Sequence, residues 1–162
     1  MISKKMQEAI NEQINAELYS AYLYLSMSAY CAENTYKGFA HWLDVQAKEE
    51  YSHAMKFYSY LLDRGASVEL KSIDAPKGKF NSMVELFEQV LAHEKHVTAL
   101  INKLYELALK EKDFATQIML QWFIEEQVEE EANASEILEK LKMLGDRPGA
   151  VLYLDKSMAK RE

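Results

Sequence analysis

Apolar residues recur along this chain at the spacing of long helices. From Ser3 to Glu33 the stripe reads Met6, Ile10, Ile14, Ala21, Tyr24 and Met27. From Tyr36 to Arg64 it reads Phe39, Leu43, Phe57 and Leu61, with Gly65 placed to cap the end. A third helix is predicted over Ser82 to Lys110 on Phe87, Leu91, Ile101 and Tyr105. A fourth runs from Phe114 to Leu144 on Phe123, Ile137 and Leu141, with Gly145 ending it. Residues at this spacing share one helix face, which must be covered by another element. Glu33-Asn34-Thr35 and Glu111-Lys112-Asp113 are short breaks, so the helices pair as two hairpins. Gly65 to Asn81 is too long for a tight turn and carries Pro76 and Gly78; it is the expected crossover along the side of a bundle. Ser82-Met83-Val84-Glu85 has the form of a capping box. Asp146-Arg147-Pro148-Gly149 is a predicted turn before a short fifth helix, Ala150 to Ala159, with Val151, Leu152, Leu154 and Met158 on its apolar side. The expected fold is all-α: a single four-helix domain with one long crossover and a short C-terminal helix.

The stripes are interrupted by charge. Each long helix carries a glutamate among its apolar positions: Glu17, Glu50, Glu94 and Glu130. The midpoint between 17 and 50 falls in the first short break, and that between 94 and 130 falls on Lys112 in the second. Residues equidistant from a hairpin turn lie at one height, so each hairpin carries its two glutamates level, and the crossover can bring both pairs together at mid-bundle. Four core carboxylates at one height repel unless something neutralises them. Two divalent cations would do so. His53 lies three residues after Glu50 on the same face. One cation position would have Glu17, Glu50 and His53. The other would have Glu50 as a bridge, Glu94, and either Gln127 or Glu130. A symmetric site would repeat Glu-x-x-His, but Val97 follows Glu94 at that spacing, so the second position lacks imidazole and should hold its ion more loosely. Carboxylate and imidazole ligands without thiolate suit iron or manganese, with zinc possible. Glu49, Glu126 and Glu129 are within reach of a third cation. Tyr24, seven residues after Glu17 on the same face, and Trp122, four before Glu126, are first of all packing residues; Tyr24 could also give a hydrogen bond or an electron.

Composition narrows the class. Apolar residues make up 49% and charged residues 28% of 162, and five Gly and two Pro leave long helices uninterrupted. No apolar run is long enough to span a bilayer, and the acidic start of the chain gives no secretion signal, so a cytoplasmic protein without membrane partners is expected. The single Cys31 cannot build a disulfide framework and is expected to be a small buried residue. A net charge of −7 argues against nucleic acid as a partner.

The chain resembles the bacterial non-haem ferritins over essentially its whole length. The resemblance rests on Asn15-Ala16-Glu17-Leu18-Tyr19-Ser20-Ala21-Tyr22-Leu23-Tyr24, on Glu49-Glu50-Tyr51-Ser52-His53, on Glu94, and on Gln127-Val128-Glu129-Glu130. It implies iron storage: a hollow shell of 24 subunits that oxidises Fe(II) with O2 or H2O2 and keeps Fe(III) as a hydrous oxide. It assigns Glu17, Glu50, His53, Glu94, Gln127 and Glu130 to a two-iron ferroxidase centre, Tyr24 to a place beside it, and Glu49, Glu126 and Glu129 to a third iron. The fifth helix would pack around four-fold axes. Bacterioferritin is similar but would repeat the Glu-x-x-His and place a haem-ligating Met where Ser52 stands, so no haem is expected. Rubrerythrin would need more cysteines, and the DNA-protecting mini-ferritins lack a terminal helix. A di-iron oxidase or peroxidase working as a small oligomer is the alternative, which native mass would separate.

Overall fold

A computed structural model describes residues 1–145 and 147–162. Five helices follow one another: α1 Lys4–Glu33, α2 Lys37–Asp63, α3 Met83–Glu111, α4 Phe114–Leu144 and α5 Pro148–Met158. The hairpins α1–α2 and α3–α4 form the bundle, α1 also meets α3, and α5 lies on α2 and α4. This is the expected fold class, with helix boundaries within two residues of those expected. The predicted turn at 146–149 falls partly on Asp146, outside the described residues. Pro148 and Gly149 belong to α5, with Pro148 in the first turn, where its missing N–H costs nothing. Among the described residues no helix is long and apolar enough to cross a membrane.

Each helix end has a local reason. Gly65, at φ +68°, donates to the Leu62 carbonyl while Ala66 donates to that of Leu61, so two orphan carbonyls of α2 are satisfied. The Ser82 hydroxyl accepts from the Glu85 N–H, as a capping box requires. The reciprocal bond differs from the expected one: the Glu85 carboxylate accepts from the N–H and side chain of Asn81, one residue further out. Asp113 caps α4 by accepting from the Thr116 N–H, and its carboxylate also takes both Nη groups of Arg64 at 3.0 and 3.2 Å. One side chain thus holds the end of α2 and the start of α4. Asp113→Ala is expected to cost about 2–3 kcal/mol, a lost cap plus a lost charge-assisted pair, read as a lower midpoint in chemical denaturation.

The crossover from 64 to 82 is pinned along α1. The buried Asn11 side chain donates to the Ser67 carbonyl and accepts from the Glu69 N–H. Farther along, Ser26 and Tyr30 donate to the carbonyls of Lys77 and Phe80. From Asn11 to Tyr30 is about 28 Å of helix, so the segment runs most of the bundle's length.

The apolar core is in two parts. One end gathers Met6, Ile10, Ile14, Phe57, Leu61, Ile101, Leu120 and Phe123, among others. The other gathers Tyr24, Met27, Phe39, Leu43, Phe87, Ile137 and Leu141 with α5's Leu154 and Met158. Between them lies the buried polar layer of Glu17, Gln46, Glu50, His53, Glu94, Gln127 and Glu130. Some predicted core positions are only flanking. Ala21, Leu91 and Tyr105 are half-buried and Leu152 is exposed. On α3 the inward face passes through Val90, Glu94, Val97, Ile101, Leu104 and Ala108, which puts Leu91 and Tyr105 one position to the side. Cys31 is fully buried, and burial with the nearby Asp155 charge pushes its thiol up to about 12, so it is not a nucleophile at neutral pH.

Candidate metal centre

Glu17, Glu50, Glu94 and Glu130 each come from a different helix, and each is at most 4% exposed. Three groups of possible ligands emerge, with one donor atom from each member lying within 4.8 Å of the others. They are Glu17, Glu50 and His53; Glu50, Glu94 and Glu130; and His53, Glu126 and Glu130. Glu50 is common to the first two groups and Glu130 to the last two. The three groups therefore adjoin one another, and each could hold a metal ion.

The sequence pattern dictates this layer. Glu50 and His53 are one turn apart, and His53 Nδ1 lies 3.3 Å from Glu50 Oε2. The imidazole is wedged edge-on between Trp122 and Phe123 at ring distances of 5.4 and 6.0 Å, which fixes its plane. Its Nε2 lies 3.9 Å from Glu126 Oε1. Gln127 donates to Glu94 Oε2 at 3.2 Å and to the Glu94 carbonyl. Its amide would have to turn over to offer oxygen to a cation, whereas Glu130 already presents carboxylate oxygen beside Glu50 and Glu94. Tyr24 is fully buried and donates to Glu94 Oε1.

Two supports were not apparent in the sequence reading. Gln13 donates to Glu17 Oε1 at 2.8 Å. Gln46 donates both to Glu50 Oε1 at 3.0 Å and to Glu130 Oε2 at 2.9 Å. Each glutamine lies four residues before its glutamate, one helical turn away, and that repeated spacing is the signal that could have found them. Such partners hold ligand carboxylates in place. The remaining oxygen of Glu17 is buried without any protein partner, which is costly unless a proton or cation meets it.

Electrostatics follow from burial and crowding. Burial, then the Glu50 charge, hold the Glu17 carboxyl well above its usual range. Burial and Glu50 push Glu94 up to about 7, and burial with Glu94 and Glu50 pushes Glu130 up to about 8. Burial and the Glu94 charge raise the Tyr24 phenol, which stays a proton donor. Burial lowers His53, but its hydrogen bond to Glu50 and the charges of Glu50, Glu130 and Glu126 outweigh this and raise it. Near neutral pH the layer therefore holds protons that divalent cations would replace.

The sign of the pH dependence follows. Glu94 and Glu130 bind protons more tightly folded than unfolded, so their protonation stabilises the metal-free fold, and that stability is lost as pH rises through about 7 and 8. His93, half-buried beside Ser20 and pushed down to about 4 by desolvation, works the other way only below the ordinary histidine range. The metal-free protein should thus lose roughly 2 kcal/mol between about pH 6.5 and 8.5. A saturating divalent cation should abolish or reverse the slope and release protons as it binds. Urea denaturation at several pH values, with and without Zn(II), measures both. A flat metal-free profile would mean the carboxyls are not protonated as described.

The three residues expected around a third cation are placed differently from one another. Glu49 and Glu126 line one small pocket of about 250 Å³ with Ser52, His53, Lys56 and Trp122. Of the three only Glu126 belongs to one of the ligand groups, and Glu129 is exposed.

A buried carboxylate–histidine layer between two apolar half-cores is one feature; the chain's relatives are another. A family model described as a ferritin-like domain matches residues 7–144. The chain belongs to the ferritin family. It is 44% identical to the bacterial non-heme ferritin of Staphylococcus haemolyticus over 161 residues, 99% of this chain and 97% of that one. The bacterial non-heme ferritin of Bacteroides fragilis is also 44% identical, with 99% and 100% covered. Among solved structures, the open pore ferritin of the hyperthermophilic archaeon Archaeoglobus fulgidus superposes with a TM-score of 0.99 at 49% identity, covering 100% of this chain and 99% of that one. At that TM-score this ferritin has the fold of the archaeal one.

Proposed function

We propose that this ferritin takes Fe(II) as its substrate, oxidises it in pairs at the buried layer, and stores the Fe(III) product in a closed shell of 24 copies in the cytoplasm. The observation that carries the reading is the position of Glu50, whose carboxylate belongs to both the Glu17–His53 group and the Glu94–Glu130 group. A carboxylate shared in this way sets two ions side by side, so that each gives up one electron and the pair together reduces O2 to H2O2, or H2O2 to water. Glu17, Glu50 and His53 hold the first ion, and Glu50, Glu94 and Glu130, with Gln127 next to them, hold the second. The carboxylates balance the added positive charge of Fe(III). Gln13 and Gln46 keep the ligand oxygens aimed inward, and Tyr24 donates to Glu94 from the flank. Glu49, Glu126 and Glu129 receive a third iron at the edge of the layer.

Assembly is supported by apolar surface that a lone subunit would leave wet. Tyr22, Leu25, Tyr51 and Ile73 line an open groove of about 570 Å³ between α1 and α2, and Phe114, Ile118 and Val128 on α4 are each 70% exposed. Patches of this kind mark contacts with other chains. The test of the chemistry is an oxygen-electrode titration with Fe(II) added at two per chain. Rapid uptake of one O2 for every two Fe(II), or the matching two-electron use of H2O2, is expected. Oxidation no faster than that of free Fe(II) in the same buffer would overturn the reading.

A further inference from the structure

The pocket beside the buried layer contains carboxylates that already have cations next to them. Glu49 is the residue before Glu50 on α2, so its side chain turns out of the layer and is 42% exposed. Its Oε2 accepts from Nη2 of Arg161, in the tail that follows α5. Arg161 is fixed by contacts that do not involve Glu49. Its Nη1 donates to the Trp42 carbonyl at 3.3 Å, its guanidinium lies 4.2 Å from the Trp42 ring centre, and its main-chain oxygen is 2.7 Å from His41 Nε2. Its side chain is 18% exposed. On the other wall, the Lys56 ammonium sits 3.0 Å over the Trp122 ring and within the field of Glu126.

We propose that Arg161 is the built-in counter-cation of Glu49 and competes with a divalent ion for the Glu49–Glu126 position. This rests on the third-iron reading above. A guanidinium cannot lose its proton at any working pH, so its charge is always present. A divalent ion that takes Glu49 as a ligand must either share the carboxylate with a neighbouring positive charge or displace Arg161 from it. The third position is thereby kept weak, so that an ion there is easily passed on, while the two interior positions, which Arg161 does not touch, are unaffected. Arg161 is a positioning residue: it acts on the ion through Glu49.

The test is calorimetric titration of the metal-free assembled protein with Zn(II), which has no redox chemistry, at fixed ionic strength. Wild type is expected to bind one equivalent per chain tightly, a second less tightly and a third most weakly. Arg161→Gln should tighten the third equivalent roughly fivefold, the size of a partly screened ion pair, and leave the first two unchanged. Arg161→Lys, which keeps the charge, should stay within about twofold of wild type. Glu49→Gln should remove the third equivalent, and the Glu49→Gln/Arg161→Gln double variant should match Glu49→Gln alone. An unchanged or weaker third equivalent in Arg161→Gln, with Glu49→Gln still losing it, would overturn the proposal and spare the third-iron reading. A titration that Glu49→Gln does not alter would overturn that reading and the proposal with it.

Discussion

Glu50→Ala should abolish rapid paired Fe(II) oxidation while leaving the helical bundle folded. Glu50 is common to the Glu17–His53 group and the Glu94–Glu130 group, so its loss weakens both positions at once and removes the group that keeps two ions adjacent. A loss of at least about 100-fold in initial rate is expected, since even the outer partners of metal ligands are worth roughly 10- to 100-fold. His53→Ala should also abolish the fast phase, because the first position then keeps only two carboxylates. Glu50→Gln separates chemistry from packing. It preserves volume and can still accept from Gln46, but it removes the charge that raises Glu17, Glu94 and Glu130. The metal-free Glu50→Gln protein should therefore be as stable as wild type or more so at pH 8, by about 1 kcal/mol, and still be inactive. Such opposition of stability and activity is expected where like charges are held together for function. Stopped-flow absorbance at substoichiometric Fe(II) and thermal unfolding measure the two effects; wild-type rates in Glu50→Ala or His53→Ala would refute the site.

The second large effect is at Gly38. A methyl group there would lie 1.6 Å from the Asp155 carbonyl oxygen and 2.5 Å from its carbon, both backbone atoms of α5. Neither can yield without moving the helix. The close approach has a purpose: Tyr36 gives no side-chain cap to α2, and Asp155 Oδ1 supplies one from outside by accepting the Phe39 N–H at 2.9 Å. Gly38→Ala should undock α5, losing that cap and the burial of Leu154 and Met158, at a cost of about 2–4 kcal/mol and roughly 10 °C in Tm. Proteolysis of the C-terminal segment should accelerate. Gly149→Ala is the control, since nothing lies within 4 Å of the added methyl, and it should be neutral or slightly stabilising. Equal thermal stability of the two variants would contradict the docking of α5 described here.

The architecture was legible because its signals are local and periodic. The stripes placed four long helices, Gly65 and Asp113 sit where helix ends need them, and the missing turn between Gly65 and Asn81 announced a crossover. The level of the four glutamates could be read from their distance to each turn. The limits are equally physical. Periodicity locates a face only to within a position, so Leu91 and Tyr105 were placed in the stripe that Val90 and Leu104 occupy. Contacts far apart in sequence left no periodic trace. Nothing around Gly38 or Arg161 indicates that α5 and its tail reach α2, and nothing around Asn11 shows that it holds the crossover. Gln13 and Gln46 carried a spacing signal, but amides draw less notice than charges in an apolar stripe. The choice between Gln127 and Glu130 beside Glu94 could not be made from spacing, since both lie on the same face of one helix.

The most direct test of the whole account is to add Fe(II) aerobically at well above two per chain and separate the product by size-exclusion chromatography with iron detection. Many irons per chain are expected to co-elute with a particle of several hundred kilodaltons. Iron that stops near two per chain on a small oligomer would contradict storage and point instead to a di-iron oxidase with a separate substrate.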